Sequence, residues 1–235
     1  MYTSKQINVI EIFELLFEYY GPQGWWPGED PLEICLGAIL TQNTSWSNVE
    51  KALRNLRESR VCSLKDLLAI PDSSLARLIY SSGYYNSKTK TIKEFVKVIS
   101  RKYGGDLALF FKLSVENLRG ELLLTIGIGN ETADAIILYA AEKPTFVIDA
   151  YTRRIGARLN LAMENTEYSK YRNYFLENLP EDPLILNEFH ALFVKLGKSY
   201  CFKRNPNCGG CPLLSICDTG RRVIGELEIY GLHGL

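Results

Sequence analysis

Four cysteines crowd into one short C-terminal stretch, in the pattern Cys201-x6-Cys208-x2-Cys211-x5-Cys217, and nothing else in the 235-residue chain restricts its architecture as much. Thiols this close in sequence either pair as disulfides or share a metal group. The N-terminus does not read as an export signal, because Glu11, Glu14 and Glu18 interrupt its apolar run and no small-residue cleavage site follows. A cytoplasmic setting is therefore expected, and in that setting such a cluster points to metal. A structural zinc site more typically shows two short cysteine pairs separated by a longer loop. Three unequal short gaps wrap one compact object instead, and four thiolates so arranged suit a 4Fe-4S cluster. Between the first two ligands stand Lys203 and Arg204, a small basic loop that could touch phosphates or simply be solvated.

The balance of 27 basic against 27 acidic residues gives no net charge, and an apolar fraction of 46% is ordinary for a globular chain, which argues against disorder. The length allows one large or two small domains with a real core. The longest apolar run, Ala135 to Ala141, is far too short to span a bilayer, so no membrane partner is expected. Zero net charge leaves no global footprint of nucleic-acid binding either, and any such argument has to come from local motifs.

The periodicity is helical almost throughout. Ile10, Phe13 and Phe17 share a face of a helix expected over Ile7–Tyr20, which Gly21-Pro22 ends. Helical patterns resume over Leu32–Leu40, Asn48–Leu56 and Lys88–Tyr103, and Ser63, Asp72 and Ser114 stand where caps are expected. The only strand-like piece is TFVI at 145–148, so the fold class is all-α.

Two motifs carry chemistry besides the cysteines. In TIGIGNETADAIIL, Gly127 and Gly129 form a Gly-x-Gly turn between two helical patterns, and such a turn can present bare N–H groups to a phosphate or be an ordinary hairpin. Ala133, Ile136, Ile137 and Ala140 give its second helix a buried face. In FVIDAYTRRIG, Asp149 stands at a helix start, where it can be an N-cap, a reacting carboxylate at the helix mouth, or both. Arg153 and Arg154, one turn on, could reach a DNA backbone or be solvated, and the same two readings hold for Lys88 and Lys90.

The glycine hairpin, Asp149 and the cysteine spacing together resemble the helix-hairpin-helix, Gly/Pro-rich, Asp-containing (HhH-GPD) superfamily of DNA glycosylases, in its endonuclease III-like branch. AILTQNT with Trp46, and GYYNSKTKTI, extend the likeness, so that it runs from about Trp25 to Cys217. It implies two helical domains: a six-helix barrel over 25–132 with the hairpin, and an iron-sulfur domain made of the N-terminal helix, 1–24, and residues 133–235 with the cluster loop 201–217. It also implies that Gly127 and Gly129 bind a phosphate, that Asp149 is the catalytic carboxylate, and that Gln42 lies on the loop filling the gap left by an extruded nucleotide. Bifunctional members carry a lysine at the start of the second hairpin helix. This chain has Glu131 there, and a carboxylate cannot form the imine of the lyase route, so the implied enzyme is monofunctional. Glu131 either suits the positive end of its helix or helps to shape the base pocket.

All three tryptophans lie near the expected pocket, Trp25 and Trp26 with Pro27 on the connector and Trp46 just after Gln42. Each is a candidate core plug, and together they could make a stacking slot that favours a flat cation such as a purine methylated at nitrogen 3. This combination is most similar to the endonuclease III-like 3-methyladenine DNA glycosylases, a group in which members without the cysteine quartet also occur. The substrate implied is double-stranded DNA with damaged bases, acted on by a monomer. Oxidised pyrimidines or mismatched bases are the alternative substrates, and a non-catalytic DNA-binding iron-sulfur protein is the alternative from another class. His190, in EFHALFVKLGKSYC, is expected to pack in the core, the alternative being a role in the pocket or near the cluster.

Overall fold

The structure is a computed structural model that describes residues 7–25, 30–161 and 165–229. It is all-α, and among the described residues there is no strand. None of the described helices is long and apolar enough to cross a membrane. The chain divides into two compact units, Met1–Trp25 with Phe146–Leu235, and Trp26–Thr145.

The unit formed by 26–145 is built around α2 (Pro31–Leu40), which is buried on nearly every side. Its sequence CLGAIL has no polar face, and a helix apolar all round is stable only inside. Asp30 caps it through the Leu32 N–H and Pro31 opens it, a position where proline's missing N–H costs nothing. On it pack α3 (Trp46–Glu58), α6 (Tyr85–Tyr103) and α9 (Asn130–Ala135), while α4 (Leu64–Ala69), α5 (Asp72–Leu78) and α7 (Leu107–Phe111) pack on α6, and α8 (Val115–Leu124) packs on α9. Ser63 forms a reciprocal capping box with Asp66, and Ser114 caps α8 through the Asn117 N–H. Asp72 is not a cap: Pro71 holds that place and Asp72 is the first helical residue.

α9 runs directly into a π-helical turn, Ile136–Ala140, that packs on α2. All residues from Thr132 to Ala140 are buried, so the second hairpin helix has no solvent face there, rather than the single apolar stripe its spacing suggests. The unit ends after Thr145 and not after Thr132, because this buried helix belongs to the packing around α2.

In the other unit, α1 (Val9–Tyr20) packs with α11 (Tyr168–Asn178) and α12 (Pro183–Ser199), and α10 (Ala150–Arg158) packs on α12 and α13 (Asp218–Ile229). Its core is phenylalanine-rich: Phe146 stacks on Phe175 at 4.1 Å between centroids, and Phe189 meets Phe13, Phe146 and Phe193 edge-on or tilted. The strand-like TFVI is an unpaired extended segment whose Phe146, Val147 and Ile148 are all buried. Its polar groups bond to side chains instead of a ladder, the Ile148 N–H donating to the Tyr168 hydroxyl and the Val147 carbonyl accepting from Thr152 Oγ1.

Candidate functional site

The candidate residues fall in both units, and each half has its own geometry. In the 26–145 unit the hairpin joins α8 to α9. Gly127 has φ +86, and a Cβ there would lie 1.9 Å from Thr91 Oγ1, so both conformation and space require glycine. Gly129 differs. It is extended, it is the N-cap residue of α9, and a Cβ there would meet nothing within 4 Å, which leaves the approach to the helix start open. Gln42, on the loop after α2, donates from Nε2 to the Thr132 hydroxyl at 2.8 Å and to the Gly127 carbonyl at 3.2 Å. Glu131 is exposed in the first turn of α9.

Of three side chains that brace this half, two are missed by motif reading and one is misread. Asp134 is fully buried in α9, where it accepts from Arg119 Nε at 3.1 Å and from the Thr145 hydroxyl at 2.8 Å. The same Arg119 reaches Asn130 Oδ1 at 2.6 Å, so one guanidinium joins the start and the middle of the hairpin's second helix to α8. Lys88, read as a solvated or DNA-facing cation, is buried instead. Its Nζ donates to the Leu40 carbonyl at 2.8 Å and the Ser82 carbonyl at 2.6 Å, closing the C-terminal end of α2 just before Gln42. Burial pushes its pKa down to about 8. Lys90 is exposed.

Trp46 opens α3, half-buried, and its indole N–H donates to Glu50 at 2.8 Å. Trp25 belongs to the other unit, with the Lys198 ammonium 5.7 Å from its ring centre. Trp26 and Pro27 lie outside the described residues.

In the unit that holds α10, Asp149 is the N-cap of that helix, Oδ1 accepting from the Thr152 N–H at 2.7 Å. His190 of α12 is buried, as a packing residue would be, but its Nε2 stands 3.6 Å from Asp149 Oδ2. Burial works to raise the Asp149 pKa, yet His190 and the Thr152 N–H and hydroxyl outweigh it and hold the carboxyl below its ordinary value. The helix behind it sits close to its neighbour: a Cβ at Gly156 would be 1.5 Å from the Tyr171 hydroxyl, which explains the glycine in RRIGAR. Arg153 donates to the Thr166 carbonyl at 2.8 Å and lies 6.0 Å over the Tyr168 ring. Arg154 is neither solvated nor DNA-facing: it lies 5.0 Å over the Tyr151 ring and donates to the carbonyls of Cys201 (2.8 Å) and Gly197 (3.2 Å).

The cysteine loop follows α12. Cys201, Cys208 and Cys211 are half-buried and Cys217 is buried. Burial pushes Cys208, Cys217 and, to about 11, Cys211 upward, and the neighbouring thiols add to the rise, a sign that the group shares one neighbourhood. Among the described residues no three His, Cys, Asp or Glu side chains are gathered closely enough to hold a single metal ion. The sulfurs are met by donors: Arg158 Nη1 reaches Cys201 Sγ at 3.0 Å, and the Gly220 N–H reaches Cys217 Sγ at 3.3 Å. Four thiols, two of them with N–H groups aimed at the sulfur, are a donor set whose chemistry fits an iron-sulfur cluster. Arg158 also holds the carbonyls of Phe202 (2.8 Å) and Lys203 (3.3 Å), leaving the Lys203 and Arg204 side chains exposed.

Residues 36–181 match the model of the HhH-GPD superfamily of base excision DNA repair proteins. A Methanocaldococcus jannaschii protein provisionally named a DNA repair glycosylase is 41% identical over 219 residues, 92% of this chain and 99% of that one. Among solved structures, the endonuclease III of a non-covalent DNA complex superposes with a TM-score of 0.80 at 21% identity, over 96% of this chain and 100% of that one. The Helicobacter pylori 3-methyladenine DNA glycosylase bound to 1,N6-ethenoadenine superposes with a TM-score of 0.72 at 28% identity, over 82% of this chain and 98% of that one.

Proposed function

The chain belongs to the HhH-GPD superfamily of base excision DNA repair proteins, and on that premise we propose that it is a monofunctional DNA glycosylase that hydrolyses the N-glycosidic bond of alkylated purines, 3-methyladenine above all, flipped from duplex DNA. The observation that carries the chemistry is Asp149. It is a carboxylate at a helix start, held by Thr152 and His190 in the ionised form. A base methylated at nitrogen 3 is already cationic and leaves readily, so the enzyme needs little acid catalysis. What it needs is a negative charge beside the sugar as oxocarbenium character develops, and an ionised Asp149 supplies it.

Glu131 supports the monofunctional reading, because the position where the family's lyases place an amine holds a carboxylate. The likeness to the 3-methyladenine glycosylase supports the lesion class, as do Trp25 and Trp46 with Trp26 and Pro27. Gly127, Gly129 and Gln42 grip the backbone and fill the gap, while the exposed Lys203 and Arg204 add phosphate contacts. Cys201, Cys208, Cys211 and Cys217 would hold a 4Fe-4S cluster, which when bound ties down the loop carrying Lys203 and Arg204. The same reading has the protein acting as a monomer in the cytoplasm.

The test is base release from duplexes containing 3-methyladenine, thymine glycol or a mismatch, each followed by borohydride trapping. Release of 3-methyladenine with no trapped adduct is expected. Release of thymine glycol with an adduct would mean that another amine has taken over, and would contradict the proposal.

A further inference from the structure

Groups from two helices face the oxygens of Asp149: Oδ1 accepts from the Thr152 N–H of its own helix, and Oδ2 lies 3.6 Å from the imidazole Nε2 of His190 on α12. The side chains are 14% and 6% exposed, and the Phe146 ring stands edge-on to the imidazole at 6.2 Å. A carboxylate between apolar walls takes up a proton unless something favours its charge, and a neutral Asp149 could not oppose a cationic sugar. The charged groups nearby are engaged elsewhere. Arg153 of α10 is bound at Thr166 O; on α12, Glu188 accepts from the Gln23 N–H, Lys195 lies over Tyr20 and Lys198 over Trp25. From α11, Tyr171 donates to the Thr152 carbonyl, while Glu14 and Glu18 of α1 are exposed.

We propose that His190 is a positioning residue for the reaction: its Nε2–H faces Asp149 Oδ2 and keeps that carboxylate ionised and aimed. The proposal rests on Asp149 being the reacting carboxylate. His190 touches neither base nor sugar in this role. It acts through Asp149, so that α12 governs the charge at the mouth of α10.

The direct test is a carboxyl-carbon NMR titration of aspartate-labelled protein, with Asp149→Asn assigning the signal. In the wild type the Asp149 signal is expected to titrate below the ordinary aspartate range. In His190→Leu the midpoint should rise by about one pH unit or more, and in His190→Gln, whose amide can still donate, it should return toward the wild type. Should His190→Leu fail to fold, His190→Met serves as the second apolar variant. Single-turnover release of 3-methyladenine should mirror this, with His190→Leu losing up to about twofold more rate than wild type between about pH 8 and pH 5, at unchanged duplex affinity. An identical Asp149 midpoint in wild type and in the apolar variants would overturn the inference. Full activity in Asp149→Asn is a separate result, one that would overturn the reading of Asp149 on which the inference depends.

Discussion

The hairpin half and the Asp149 half hold their charges in opposite ways. In the hairpin unit several cations are turned to internal partners: Lys88, one of the two lysines that motif reading could send to DNA, to two carbonyls, Lys93 to the carbonyls of Leu68 and Ile70, and Arg119 to a buried carboxylate, while Lys90 is exposed. What that unit offers a phosphate is backbone at Gly127 and Gly129. The other unit keeps its chemistry in side chains, a carboxylate with an imidazole and four thiols with a guanidinium, and leaves Lys203 and Arg204 exposed on a loop. On the proposed function, the contrast accounts for DNA binding by a chain with no net charge: one half would grip by peptide dipoles, which no charge count registers, and the other by a few placed ions.

Three changes would break or sharpen that contrast. The largest effect is expected from Cys208→Ser or from chelation of the iron. With the proposed 4Fe-4S cluster in place, either would remove the group that ties the loop down, and thermal melting should fall by about 10 °C or more, with loss of iron from the purified protein. An unchanged melt would mean that the thiols hold nothing structural.

The hairpin glycines come next. Gly127→Ala meets both a left-handed backbone and Thr91, so stability should fall by about 1–3 kcal/mol in urea titrations, and duplex binding should weaken with it. Gly129→Ala meets open space and should keep its stability while still weakening binding, since the methyl covers the helix start. Equal behaviour of the two variants would show that the open approach at Gly129 has no use.

The smallest effect belongs to the exposed cations. Removing Lys203 and Arg204 together should lower the slope of log affinity against log salt by about 2, whereas the Gly129 variant should leave that slope unchanged.

The local features of this molecule could be read from its sequence, and the features that depend on distant contacts could not. Helix positions, the caps Ser63 and Ser114 and the N-cap geometry of Asp149 follow from neighbours a few residues apart, and so did the need for glycine at Gly127. Asp72 was misplaced by one residue, because proline can also hold the place before a helix. TFVI looked like a strand because it is β-branched and aromatic, but its alternate residues are all buried among helices and its polar atoms find side-chain partners. The pairing of Asp149 with His190, the burial of Lys88 on the end of α2 and the Arg119–Asp134 brace join residues far apart in the chain or hide charges by tertiary packing. No spacing announces such pairs; an aspartate inside the apolar stretch ADAIIL was the only local hint. The candidate residues with a motif were visible, and the side chains that brace them were not.

The central claim is that an ionised Asp149 provides the chemistry while binding resides elsewhere. The most direct measurement compares wild type and Asp149→Asn in single-turnover release of 3-methyladenine, alongside affinity for a duplex carrying an abasic-site analogue. The account predicts a rate loss of about a thousandfold, the worth of one charge close to a cation in a protein interior, with affinity changed by less than about threefold. An Asp149→Asn protein that binds less but releases base at the wild-type rate would contradict it.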